Sequence, residues 1–139
     1  MSSRVRGLGK GRRTRRTLSR GGSGVAASIN RAVGSWPGVR IAPMFGRWGY
    51  FVGAQLFACF PLRPGDSDLW VRLDPEGQRQ ALGTEGVTPH RRFAARGWVE
   101  CRVAEPTDVL RALRWLRRGY RRMHEAARRE ERRSGPDRP

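Results

Sequence analysis

The chain has 139 residues, with 29 Lys and Arg against 12 Asp and Glu, for a formal net charge of +17. That length is ordinary for one domain, and no run approaches the roughly 20 consecutive apolar residues that a membrane-spanning helix needs. Cys59 and Cys101 stand in no CxxC or other metal-ligand spacing, which excludes a zinc finger or disulfide scaffold and points to reduced core residues in a cytoplasmic protein.

The charge is uneven. No Asp or Glu precedes Asp66, and Met1–Val33 carries +9, Gly34–Arg118 +5 and Gly119–Pro139 +3. Lys10 is the only lysine. An arginine skew with abundant Gly and Ala follows from a GC-rich coding sequence. Clustered cations also bind phosphate backbones by releasing counterions. Either cause bears on association and not on fold.

Residues 1–22 read as a disordered basic tail, rich in Arg and Gly and without aromatic residues, so ordering it would bury too little surface. Thr14 to Leu18 faintly matches a twin-arginine export signal, but the apolar run after it, Val25 to Ile29, is too short. The folded domain is expected over residues 23–127, followed by a polar tail over 128–139. Ser23 to Gly34 suits a short helix, with Ser23 as cap and Val25, Ala26, Ile29 and Val33 on one stripe. Trp36-Pro37-Gly38 is a turn. Val39, Ile41 and Met44 belong to a first strand, with Arg40 on its other face.

Met44 to Phe60 is the most apolar run. Gly53-Ala54 divides it into two strands, Trp48–Val52 and Gln55–Phe60. Glycine at the first central position suits a two-residue type II′ hairpin, where φ is positive. The second strand is apolar at nearly every position and so should be central, covered on both faces. Asp68 to Leu73 alternates Leu69, Val71 and Leu73 against Asp68, Trp70 and Arg72, the pattern of a half-buried strand. Asp74 caps a short helix with Pro75 in its first turn, ending at Gly83. Thr84 to Arg96 reads as irregular. Gly97 to Val103 alternates again, with Val99, Cys101 and Val103 inward. From Pro106, Val109, Leu113, Leu116, Tyr120, Met123 and Ala127 recur at spacings of three and four, one apolar stripe of a helix. Past Glu125 the sequence turns polar and the helix is expected to fray.

Met44-Phe45-Gly46, then Gly49-Tyr50-Phe51 and the Gly53 hairpin, then Leu69 to Asp74, Gly83-Thr84-Glu85, Trp98-Val99-Glu100 and Glu105-Pro106 occur in an order that resembles the N-terminal domain of the TfoX/Sxy family. The resemblance covers residues 23 to 123, with Met44, Phe45, Gly46, Gly49, Tyr50 and Gly53 as its motif. Arg47 stands where the family usually has a second glycine. The resemblance implies an α+β fold of secretion-chaperone-like type, an antiparallel sheet with flanking helices, here of about five strands. It also implies a stand-alone, non-enzymatic domain acting by protein association in transcriptional or competence regulation.

No catalytic constellation stands out. His90 and His124 lie among arginines without a second ligand at metal spacing. Gly46, Gly49 and Gly53 fall within a hairpin, with no helix following, and so are not a phosphate cradle. No cofactor, metal, small-molecule substrate or membrane is expected. Two binding surfaces are. Phe45, Trp48, Tyr50 and Phe51 read as core packing or, with Trp48, Tyr50, Trp70 and Trp98 as the candidates, as an exposed aromatic patch, either a protein or homodimer interface or a stacking platform beside Arg47. Arg12, Arg13, Arg15 and Arg16 of the tail, with Arg118, Arg121 and Arg122 of the last helix, are candidate phosphate contacts for a nucleic-acid-binding accessory protein.

Overall fold

A computed structural model describes residues 22–133. The tail arginines Arg12, Arg13, Arg15 and Arg16 lie outside them. Helix α1 (Gly22–Gly34) precedes strands β1 (Val39–Met44), β2 (Arg47–Val52), β3 (Gln55–Pro61) and β4 (Asp68–Arg72). Helix α2 (Pro75–Leu82), strands β5 (Val87–Pro89) and β6 (Trp98–Arg102), and helix α3 (Val109–Arg133) follow. The fold is α+β, and its six strands form one antiparallel sheet in the order β1-β2-β3-β4-β6-β5.

The sheet has five long strands and one short one. The extra strand is β5, inside the segment expected to be irregular. Three residues carry no period to read, and Pro89 removes a ladder donor. Both suit an edge strand, paired among the described residues to β6 alone.

The β2–β3 hairpin turns at Gly53, with φ of +61°, while Ala54 keeps a negative φ. That is the φ pattern of type II′ and not type I′. The register slips between Tyr50, opposite Ala58, and Phe51, opposite Leu56. Phe57 is the extra residue, so Phe57 and Ala58 both enter the core.

Alternation and register then separate two faces. Tyr50, Val52, Phe57, Ala58, Phe60, Leu69, Val71 and Val99 share the covered one. All three helices contribute to this core: Val25, Ile29 and Val33 from α1, Ala81 from α2, and Trp115, Leu116, Tyr120 and Met123 from α3. Cys59 and Cys101 are free and buried. Burial pushes the Cys101 thiol up to about 12, and it raises Cys59 as well.

Helix ends follow local chemistry with two departures. Asp74 caps α2, its carboxylate accepting from Gly77 N. Ser23, expected at the cap, falls within α1, which is described from Gly22 onward. α3 runs to Arg133 instead of fraying after Glu125. Its last turns have no core to dock on, but Ala, Glu and Arg favour helix and the Glu130–Arg133 pair, 3.4 Å apart, adds i,i+3 support. Among the described residues, no helix is long and apolar enough to cross a membrane.

Candidate functional site: the open face of the sheet

The second face carries Met44, Arg47, Gly49, Phe51, Leu56, Cys59, Asp68, Trp70, Arg72, Trp98 and Glu100, by the same alternation. Among the described residues, no helix covers β3 there. Its cover comes from Arg47, which reaches across from β2. Arg47 Nη1 donates to the carbonyls of Cys59 (3.3 Å) and Asp68 (3.0 Å). Its Nη2 pairs with Asp68 Oδ2 at 2.6 Å. The same carboxylate oxygen accepts from Trp70 Nε1 at 3.1 Å, and the Arg47 guanidinium lies over the Trp70 ring.

Residues 90–97 form one wall. His90 is buried, and its Nδ1 accepts from the backbone N–H of Arg92 and of Phe93, both at 3.0 Å. With Nδ1 an acceptor, the neutral ring carries its proton on Nε2, which is buried without a partner among the described residues. The ring packs edge-on to Trp70, with centroids 4.3 Å apart, and against Phe93 at 5.2 Å. Burial lowers the His90 pKa. Arg91 grips Glu100 through Nε (2.9 Å) and Nη2 (3.0 Å), and its backbone N–H donates to the same carboxylate. These bonds hold the Glu100 carboxyl below its usual range. Gln78 Nε2 anchors the carbonyl of Ala94 at 2.7 Å, and Arg72 Nε donates to the carbonyl of Arg96 at 3.3 Å.

Between this wall and the β1–β2 turn lies a groove of about 640 Å³. Trp70 and Trp98 floor it, Phe45 and Phe93 stand at its edges, and Arg47, Arg72, Arg92 and Arg96 line it, with no Asp or Glu among the lining residues. A second groove of about 560 Å³ adjoins it, sharing Arg72 and Arg96 and adding Gln78 and Arg122, again without a carboxylate. Phe45 is 95% exposed and Phe93 42%. The acids of this face, Asp68 and Glu100, are already paired with Arg47 and Arg91.

The sequence-derived candidates divide. Trp70 and Trp98 lie on the open face. Trp48 and Tyr50 do not: Tyr50 is wholly buried on the helix-covered face, donating to Asn30 Oδ1 at 2.6 Å, and Trp48 packs against the same core. Alternation puts residues 48 and 50 opposite 47 and 49, so these two rings belong to the core and not to a surface patch. In the motif, Met44 lines the groove, Phe45-Gly46 makes the β1–β2 turn, and a Cβ on Gly49 would meet Met44 and Phe51. Of the helix arginines, Arg118 is committed to Asp74 (3.1 Å) and to Gln80 (3.0 Å), and Arg122 Nη1 to the Leu73 carbonyl (2.9 Å). Arg118 therefore ties α3 to α2 and is not a free phosphate contact, while Arg121 is exposed. Phe93, Arg92, Arg96 and Arg72 are the functional candidates that the sequence reading passed over. The signal was present as an aromatic residue bracketed by arginines, but in a stretch without periodicity.

Among the described residues, no group of three or more His, Cys, Asp or Glu is placed to hold a metal. The chain matches no family model, no curated protein and no solved structure.

Proposed function

We propose that the chain is a non-enzymatic binding domain that holds an anionic partner against the open face of its sheet. The observation that carries this reading is the groove itself: an aromatic floor and arginine walls, with no carboxylate lining it. Arg92 and Arg96 have no side-chain ion pair among the described residues, although the face contains acids within reach of other arginines. Guanidinium groups left unpaired beside apolar surface attract an anion and lose little hydration on meeting one.

The reactive side chains of the face have structural work. The Cys59 thiol is buried with its pKa raised. His90 uses Nδ1 to shape a turn. The resemblance to the TfoX/Sxy N-terminal domain points the same way, towards an accessory role in regulation through association.

The test is the affinity of the full chain for heparin, a polyanion without bases, before and after Arg92→Glu/Arg96→Glu. The reading expects a loss of at least about tenfold. Unchanged affinity would remove the groove from the binding surface.

A further inference from the structure

We infer that the occupant of the open face is a single-stranded nucleic acid, with bases stacked on Phe45, Phe93 and Trp98 and phosphates on Arg72, Arg92 and Arg96. This rests on the reading of the face as an anion-binding surface and names the anion.

Phe45 is the first argument. It occupies the first central position of the two-residue β1–β2 turn, with φ of +49°, and Gly46 follows at +78°. Two positive φ values make a type I′ turn, which suits Asn, Asp or Gly and strains a bulky aromatic. Strain of this kind is compensated when the side chain packs. Here the ring is 95% exposed. The isolated fold thus gains nothing from a phenylalanine at this position, whereas a ligand with a flat face does.

Charge is the second. The net charge of +17 is matched locally by a groove lined by arginine without carboxylate. Shape is the third. Two grooves that share Arg72 and Arg96 make a track longer than one pocket, as a chain-like ligand requires. Exposed Phe45 and Phe93 and half-buried Trp98 share the groove with guanidinium groups, the two chemistries that bases and phosphates require. An acidic peptide would satisfy the arginines but offers no regular flat faces to the rings. Duplex bases are stacked on each other and unavailable.

The experiment titrates the full chain with fluorescein-labelled dT12, the equivalent duplex, heparin and polyglutamate across a salt series. Phe45→Gly should keep or raise the melting temperature, because glycine relieves the turn. It should weaken dT12 by roughly five- to a hundredfold and leave heparin unchanged. Arg92→Ala/Arg96→Ala should reduce the slope of log affinity against log salt by about 1.4 for dT12, at about 0.7 per phosphate contact. If heparin responds to the arginine pair but dT12 is indifferent to Phe45→Gly, the nucleic-acid assignment falls and the anion-binding surface stands. Duplex or polyglutamate binding as tightly as dT12 would overturn the assignment in the same way. If the arginine pair changes neither heparin nor dT12, both readings fall.

Discussion

The guanidinium carbon of Arg47 lies 3.6 Å from the centroid of the Trp70 ring. The two residues are on strands separated by β3, and Asp68 binds both of them. This arrangement closes the open face over Cys59 and leaves the remainder of the groove to solvent. It also gives Arg47 structural work on the open face.

Arg47→Lys tests that contact. Lysine keeps one charge but loses the planar fork and the ring stacking. The Arg47 side chain is only 13% exposed, so solvent does not replace what is lost. A loss of about 1–3 kcal/mol is expected in urea unfolding. Equal stability of the two proteins would mean that the stack contributes nothing.

At Gly119, α3 passes close to the sheet. A Cβ there would lie 2.8 Å from the Arg72 carbonyl oxygen and 3.2 Å from Val71 Cγ1. In an open helix, Gly→Ala stabilises by about 1 kcal/mol. Gly119→Ala should instead destabilise by roughly 1–3 kcal/mol, because α3 must lift off a packed core. Thermal unfolding decides the sign.

Asp74 serves two elements. It caps α2 and pairs with Arg118 of α3. The hydrogen bond from Arg118, more than any other cause, holds its pKa below 3.8. A depressed carboxylate pKa means that the folded state favours the charged form. Its contribution is therefore full above 3.8 and fades as pH falls below that value. Asp74→Ala should cost about 1–2 kcal/mol at neutral pH, and the difference from the parent protein should shrink in acid. A gap independent of pH would remove the charge from the account.

His90 governs the wall of the groove. Its folded pKa is lowered, chiefly by burial, with Arg91, Arg47 and Arg92 acting in the same direction and Glu100 opposing. The neutral ring is the one that fits, since protonating Nδ1 breaks both bonds to the 92 and 93 amides. Stability should be full above 6.5 and decline as pH falls below it. His90→Phe should remove that acid limb and weaken anion binding by loosening residues 90–96. Melting temperature against pH for the two proteins measures this, and superimposable profiles would contradict it.

Much of the scaffold was legible because its signals are local. Gly53 must take a positive φ, Asp74 and Pro75 open a helix through neighbouring atoms, and the spacing from Val109 to Met123 needs only a helix to become a stripe. Those constraints act within a few residues, so order along the chain is enough to read them. Strand β5 was not legible, because three residues carry no period and its pairing with β6 comes from elsewhere in the sheet.

Sequence alone determined the α+β class, the central hairpin, the apolar faces and the excess of positive charge. Only the tertiary structure decided that Trp48 and Tyr50 are core. Nothing local says which face of β2 carries Tyr50, whereas alternation already sets Trp70 opposite Leu69 and Val71. Tyr50 meets the helices and Trp70 meets Arg47. The groove depends on contacts such as Arg47 with Asp68, 21 residues apart, and on a non-periodic segment folded back over the sheet. Such proximity arises when strands pair and loops close, and no local pattern encodes it.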